Sequence, residues 1–174
     1  MSGAELAGKR VLLRPITRAV AAELLAGREP AHVAFAPGYP STFSLEVMDL
    51  LAGARAAEGG SGFNPYFVMR RDDADGDGTV VGEIGFSLDE HSGTATLGYS
   101  IVEPCWGHGY ATESLRALIS HLRTDPRVTL VTAQTPVSHG ASRRVMEKAG
   151  MRLADERLGE VDGELVELAI YELD

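Results

Sequence analysis

The chain has 174 residues, 44% hydrophobic and 24% charged, which fits one globular domain spanning residues 1–174 and excludes a fibrous or unstructured chain. With 16 Lys and Arg against 25 Asp and Glu, the net charge is −9 and the pI near 5.0. That excludes a general nucleic-acid binder, which needs a basic face for phosphates, and favours a cationic substrate.

One cysteine, Cys105, excludes an intramolecular disulfide and a multi-cysteine zinc site, and suits a reducing, cytoplasmic setting. No basic start leads into an apolar core, so no signal peptide is expected. No apolar run approaches the roughly 20 residues that span a bilayer, so no membrane partner is expected.

The first strand signal is Lys9–Arg14, built on Val11, Leu12 and Leu13 and closed by Pro15. Thr17 is placed to cap a helix whose apolar positions Val20, Leu24 and Leu25 recur at helical spacing. Prolines between Glu29 and Thr42 mark a loop. Ser44 then caps a second helix through Leu45, Met48 and Leu51, ended by Gly59-Gly60-Ser61-Gly62. Beyond it the period changes to two. Tyr66–Arg71 reads as a strand. Thr79–Leu88 alternates Val80, Gly82, Ile84, Phe86 and Leu88 against Val81, Glu83, Gly85 and Ser87. Thr94–Val102 sets Ala95, Leu97, Tyr99 and Ile101 on one face. Short connections predict an antiparallel meander.

Pro104 ends the meander, and a helix follows with Ala111, Leu115, Leu118, Ile119 and Leu122 on one face. A strand (Val128–Thr135), a helix (His139–Ala149, closed by Gly150) and two strands turning at Asp162-Gly163 complete the order β α α β β β α β α β β. Asp73-Ala-Asp-Gly-Asp-Gly78 matches the first half of a calcium loop. Ile84 stands at its twelfth position, where glutamate is required, and Glu83 falls one residue early. A hairpin turn is expected there, and no metal.

The most informative stretch is Leu97-Gly-Tyr-Ser-Ile-Val-Glu-Pro-Cys-Trp-Gly-His-Gly-Tyr-Ala-Thr-Glu113, a strand entering a Gly-rich loop that opens a helix. Glycines let backbone approach a ligand, and helix N-terminal amides favour an anion such as pyrophosphate. The loop lacks the Lys-Ser/Thr of a P-loop and the third glycine of a dinucleotide fingerprint. Spacing alone fits either phosphate binding or a tight turn.

Trp106-Gly-His-Gly-Tyr-Ala-Thr-Glu113 resembles the acetyl-CoA motif Q/R-x-x-G-x-G/A of the GNAT N-acetyltransferases, with Trp106, Gly109 and Ala111 at its first, fourth and sixth positions. Tryptophan at the first position resembles the branch of ribosomal-protein N-terminal acetyltransferases, the RimJ/RimL type. His139-Gly-Ala-Ser-Arg-Arg-Val-Met-Glu-Lys-Ala-Gly-Met151 is similar to that branch's N-x-x-S-x-x-V-x-E-K-x-G-F, and Leu12-Leu13-Arg14-Pro15 also matches. His139 replaces the usual asparagine, Met151 the usual phenylalanine. Met146 stands where other branches place a tyrosine acid, so that role is absent at this position.

The resemblance implies an α/β GNAT fold: a mixed, mostly antiparallel twisted sheet of about seven strands, with helices on both faces. A V-shaped splay would separate the fourth strand (Leu97–Val102 end) from the fifth (Val128–Thr135). It implies direct acetyl transfer from acetyl-CoA to a primary amine through a ternary complex, by a monomer or homodimer. Pantetheine would lie in the splay. The amides of Gly107, His108, Gly109, Tyr110, Ala111 and Thr112 would surround the pyrophosphate, and an amide near Ile101 or Val102 would polarise the thioester carbonyl.

Ser142 matches the motif serine and is the candidate at the thiol end, or only a helix cap. Glu83 is the candidate base, or an exposed sheet carboxylate. His139 would touch CoA or substrate, or stand free at a helix start. His91 and Tyr99 are weaker candidates. Arg143 and Arg144 would meet the 3′-phosphate or line a solvated helix face. Cys105 has no activating neighbour in sequence and reads as a packed thiol. Transfer of another acyl group such as succinyl, or CoA binding without catalysis, fits the same loop. The amine is unassigned, and its specificity is expected in Glu29–Thr42 and Gly59–Pro65.

Overall fold

The computed structural model describes residues 4–31, 33–52, 62–71, 78–161 and 163–174. The strands are β1 (Leu6–Ala7), β2 (Val11–Pro15), β3 (Ala34–Phe35), β4 (Asn64–Arg70), β5 (Thr79–Asp89), β6 (Thr94–Ile101), β7 (Leu130–Pro136), β8 (Arg152–Val161) and β9 (Glu164–Leu173). The helices are α1 (Arg18–Leu25), α2 (Thr42–Ala52), α3 (Tyr110–Leu122) and α4 (Gly140–Lys148). One mixed sheet runs β1-β2-β4-β5-β6-β7-β9-β8, with β3 parallel to β5 off this path. The expected α/β class and meander are observed. The strand count is higher than expected because β1 and β3 are two-residue strands, too short for a period of two to reveal.

Two cores cover the two faces. Ala21, Leu24, Val47 and Met48 of α1 and α2 pack on Phe67, Met69 and Val80. Leu115, Leu118, Ile119 and Leu122 of α3 and Met146 of α4 pack on Val68, Ile84, Ala95, Val131 and Tyr171. Thr17 caps α1 as expected, its hydroxyl accepting the Val20 amide at 3.3 Å. Ser44 is not the cap of α2. Ser41 Oγ accepts the Ser44 amide and Ser44 Oγ accepts the Ser41 amide, each at 3.1 Å, so serine fills the place that Glu or Gln takes in a capping box. Ser44 is thereby turned inward and is 1% exposed.

Strict alternation in β5 also fails at one point. Val68 pairs with Gly82 but Met69 pairs with Val80, so Val81 is an inserted β-bulge residue. Val80 therefore joins the α1–α2 core while Val81 joins Ile84 in the other. The Asp73–Gly78 turn lies outside the described residues apart from Gly78, as do Asp162 of the final turn, His32 and Gly59–Ser61. Gly163 holds the left-handed φ of 82° that the final turn requires.

The expected splay is present. β6 and β7 pair in parallel only from Thr94↔Leu130 to Leu97↔Ala133, although β6 continues to Ile101 and β7 to Pro136.

Candidate active site

Where β6 and β7 part, a cavity of about 350 Å³ opens, lined by Tyr99, Gln134, His139, Ser142, Met146 and Phe43 among others. Tyr99 and Ser142 close on each other across it. The Tyr99 hydroxyl donates to the Ser142 carbonyl at 3.1 Å and lies 2.8 Å from Ser142 Oγ. Burial raises the Tyr99 pKa, against a lowering contribution from Ser142. His139 is the N-cap residue of α4 and exposed, with Nδ1 3.4 Å from Thr135 Oγ1. A larger open groove of about 490 Å³ lies between β1 and α3, away from the splay; the motif glycines line neither cavity.

The Gly-rich loop leads from a single 3-10 turn, Glu103–Cys105, into α3. Gly107 (φ 77°) and Gly109 (φ 82°) both adopt left-handed backbone, which L side chains disfavour. Glu113 makes the first helical bond, to the Gly109 carbonyl at 3.1 Å. The amides of Tyr110, Ala111 and Thr112 therefore have no intrahelical partner, and Gly109 has no side chain to cap them. His108 is spent on shaping the loop: its Nδ1 lies 2.9 Å from the Trp106 carbonyl and its ring stacks on Tyr110. Cys105 is buried beneath the loop, as expected.

Arg10, absent from the sequence reading, ties this loop to β2. Its Nη1 donates to the His108 carbonyl at 2.9 Å and its Nε to Glu113 Oε2 at 3.1 Å. Glu113 Oε1 accepts the Arg10 and Val11 amides. Burial works to raise the Glu113 pKa, but the Arg10 bonds and charge prevail and hold it below the ordinary value. These partners lie about a hundred residues apart, beyond any local pattern.

Of the two amides considered for the thioester carbonyl, Val102 is already committed to Val81 O at 2.9 Å. Antiparallel alternation then turns the Ile101 amide and carbonyl to the open side. The Ile101 carbonyl accepts Trp106 Nε1 there at 2.5 Å, which leaves its amide facing the splay.

Glu83 sits on the opposite face from Ser142 and is 2% exposed, so it is not the exposed sheet carboxylate that was the alternative. Its Oε2 accepts the Ser44 hydroxyl at 2.8 Å. Its Oε1 and the nearby Tyr39 hydroxyl are both buried without a hydrogen bond of ordinary length. Burial pushes the Glu83 pKa up from 4.5 to about 7, opposed by Ser44 and Tyr39. Burial, together with the Glu83 charge, raises the Tyr39 pKa, so its hydroxyl stays protonated. In sequence Ser44 reads only as a helix cap, and the loop holding Tyr39 carries no signal for this cluster.

Arg143 is held by Tyr171 Oη at 3.1 Å and Glu156 at 3.0 Å, which fits a packing role better than a phosphate contact. His91 lies in the β5–β6 turn, at the paired end of β6 and away from the cavity.

A family model described as an acetyltransferase (GNAT) domain matches residues 10–152, so the chain belongs to the GNAT acetyltransferase family. Among solved structures it resembles the ribosomal-protein alpha-N-acetyltransferase RimL in complex with coenzyme A, with a TM-score of 0.71, 16% identity and coverage of 98% of this chain and 97% of that one. An acetyltransferase from Salmonella typhimurium that modifies the N-terminal serine of a 50S ribosomal subunit protein gives 0.70, 15%, and 98% of both chains. The microcin self-immunity acetyltransferase MccE, in complex with acetyl-CoA and AMP, gives 0.67, 15%, and coverage of 95% and 92%. A search of curated proteins finds no match.

Proposed function

We propose that the chain is one catalytic domain, residues 1–174, that transfers an acetyl group from acetyl-CoA to a primary amine. The observation that carries this reading is the splay cavity alongside β6, a strand that runs on into a Gly-rich helix start whose first amides lack intrahelical partners. Tyr110, Ala111 and Thr112 would hold the diphosphate by backbone N–H groups. The Ile101 amide would donate to the thioester oxygen, a contribution worth roughly 100- to 1,000-fold in rate. Glu83, approached from the α1–α2 face, would take the amine proton, and Ser142, from the α4 face, would serve the departing sulfur. Acetyl-CoA would supply the activated acyl group. Among the described residues no cluster of three or more His, Cys, Asp or Glu could hold a metal. No described helix is long and apolar enough to cross a membrane.

Ser142→Ala is expected to lower kcat by about 10- to 1,000-fold with little change in acetyl-CoA affinity, below the full general-acid range because water can substitute. A kcat within about twofold of wild type would leave Ser142 as packing only.

The proposed acceptor is an α-amine at a peptide N-terminus. An α-amine has an ordinary pKa of about 7.7–8.0 against about 10.4 for lysine, so near neutral pH far more of it is already the nucleophilic free base. A carboxylate with a pKa of about 7 is then a sufficient base. The net charge of −9 favours gathering cationic chains. Peptides with free N-termini are expected to be acetylated faster than the same peptides blocked there but carrying lysine. Equal rates, or turnover only with a polyamine or aminoglycoside, would replace the peptide by a small-molecule amine.

A further inference from the structure

Met146, on the cavity wall, offers no proton, yet a hydroxyl from another element reaches the same wall. Tyr99 comes from β6, on the far side of the splay from α4, and its oxygen lies 2.8 Å from Ser142 Oγ. A serine hydroxyl is a far weaker acid than a thiol, so Ser142 acting alone would end as an alkoxide. A phenol, with an ordinary pKa of about 10, makes that transfer far less uphill when it stands behind the serine.

We propose that Tyr99 supplies the proton that Ser142 delivers. As the carbon–sulfur bond breaks with its electron pair leaving on sulfur, Ser142 Oγ–H gives its proton to that sulfur. The Tyr99 hydroxyl, which donates to the Ser142 carbonyl at 3.1 Å at rest, swings its hydrogen to the Oγ 2.8 Å away and gives that oxygen its proton, and the phenolate regains one from water as product leaves. Tyr99 acts through Ser142 and is therefore a positioning and supply residue rather than one that touches the sulfur. The inference rests on the reading of the splay as the thioester site. Burial keeps the Tyr99 hydroxyl protonated at neutral pH, so the donor is loaded before each turnover.

The test uses CoA itself and needs no acceptor. The thiol of bound CoA is titrated by its ultraviolet thiolate absorption, against desulfo-CoA, in wild type, Tyr99→Phe, Ser142→Ala and the double variant. His139 is the other ionisable side chain on this wall; it is common to all four proteins, so its contribution cancels. Each single variant is expected to raise the bound thiol pKa by about one unit, a tenfold weaker stabilisation of the thiolate. The double variant is expected to match the singles, because both changes cut one chain of hydrogen bonds. A wild-type thiol pKa in Tyr99→Phe, or effects that add in the double variant, overturns the proposal while the site reading stands. Failure of the wild-type protein to bind CoA overturns both.

Discussion

Gly109→Glu is expected to lower CoA affinity at least about 100-fold in a calorimetric titration, close to 3 kcal/mol, while the chain still folds. Gly109 sits at φ 82°, and a Cβ added to it would come within 3.2 Å of Arg10 Nη2. The new carboxylate would thus sit beside Arg10 and be presented to the free amides at the start of α3, the groups proposed to receive the diphosphate. Backbone strain from a left-handed L residue is about 1–2 kcal/mol, small against a typical stability of about 5–15 kcal/mol. Gly109→Ala carries the strain without the charge and separates the two effects. It is expected to melt a few degrees lower and to lose less than about tenfold in affinity. Equal losses in both variants would assign the effect to strain, and unchanged affinity in the glutamate variant would remove the loop from the CoA site.

Glu83→Gln is expected to lower kcat by about 100- to 10,000-fold. Only the carboxylate form accepts the amine proton, so wild-type activity should rise with pH through about 7 and level above it, and the variant should lose that inflection. Stability runs the other way. The folded-state value of about 7 lies above the ordinary 4.5, so the folded chain binds this proton more tightly than the unfolded chain does. The contribution is fully present below about pH 4.5 and is lost as pH rises through about 7, on the order of 3 kcal/mol. Glutamine keeps an acceptor for Ser44 without the buried charge. The variant is therefore expected to melt higher than wild type above neutral pH and level with it in acid. A wild-type melting profile together with wild-type kcat would return Glu83 to a purely structural place beside Ser44.

The parts of this molecule legible in the sequence are those written in local periods. The helix containing Leu115, Leu118 and Leu122 and the alternating strand Thr94–Val102 appear close to where they were expected. The Gly107–Gly109 loop is legible because two left-handed turns admit few residues besides glycine. What escaped the sequence is set by partners far along the chain. The Val81 bulge breaks alternation through its pairing with β4. Ser44 reads as a cap, and only the tertiary fold shows it turned to Glu83, 39 positions away. Tyr99 carries the apolar parity of its strand and so ranks in the sequence only as a weaker candidate, and the splay then brings α4 against its hydroxyl. Arg10 looks like the polar edge of a strand, and its hold on the loop depends on residues 98 and 103 positions away.

The most direct measurement is release of CoA thiol from acetyl-CoA offered with a panel of amines: N-terminal peptides, polyamines, aminoglycosides and free amino acids. Thiol release that depends on at least one primary amine, with the acetyl group recovered on its nitrogen, is the expected result. Tight CoA binding with no thiol release on any amine would contradict the account and leave a CoA-binding domain without catalysis.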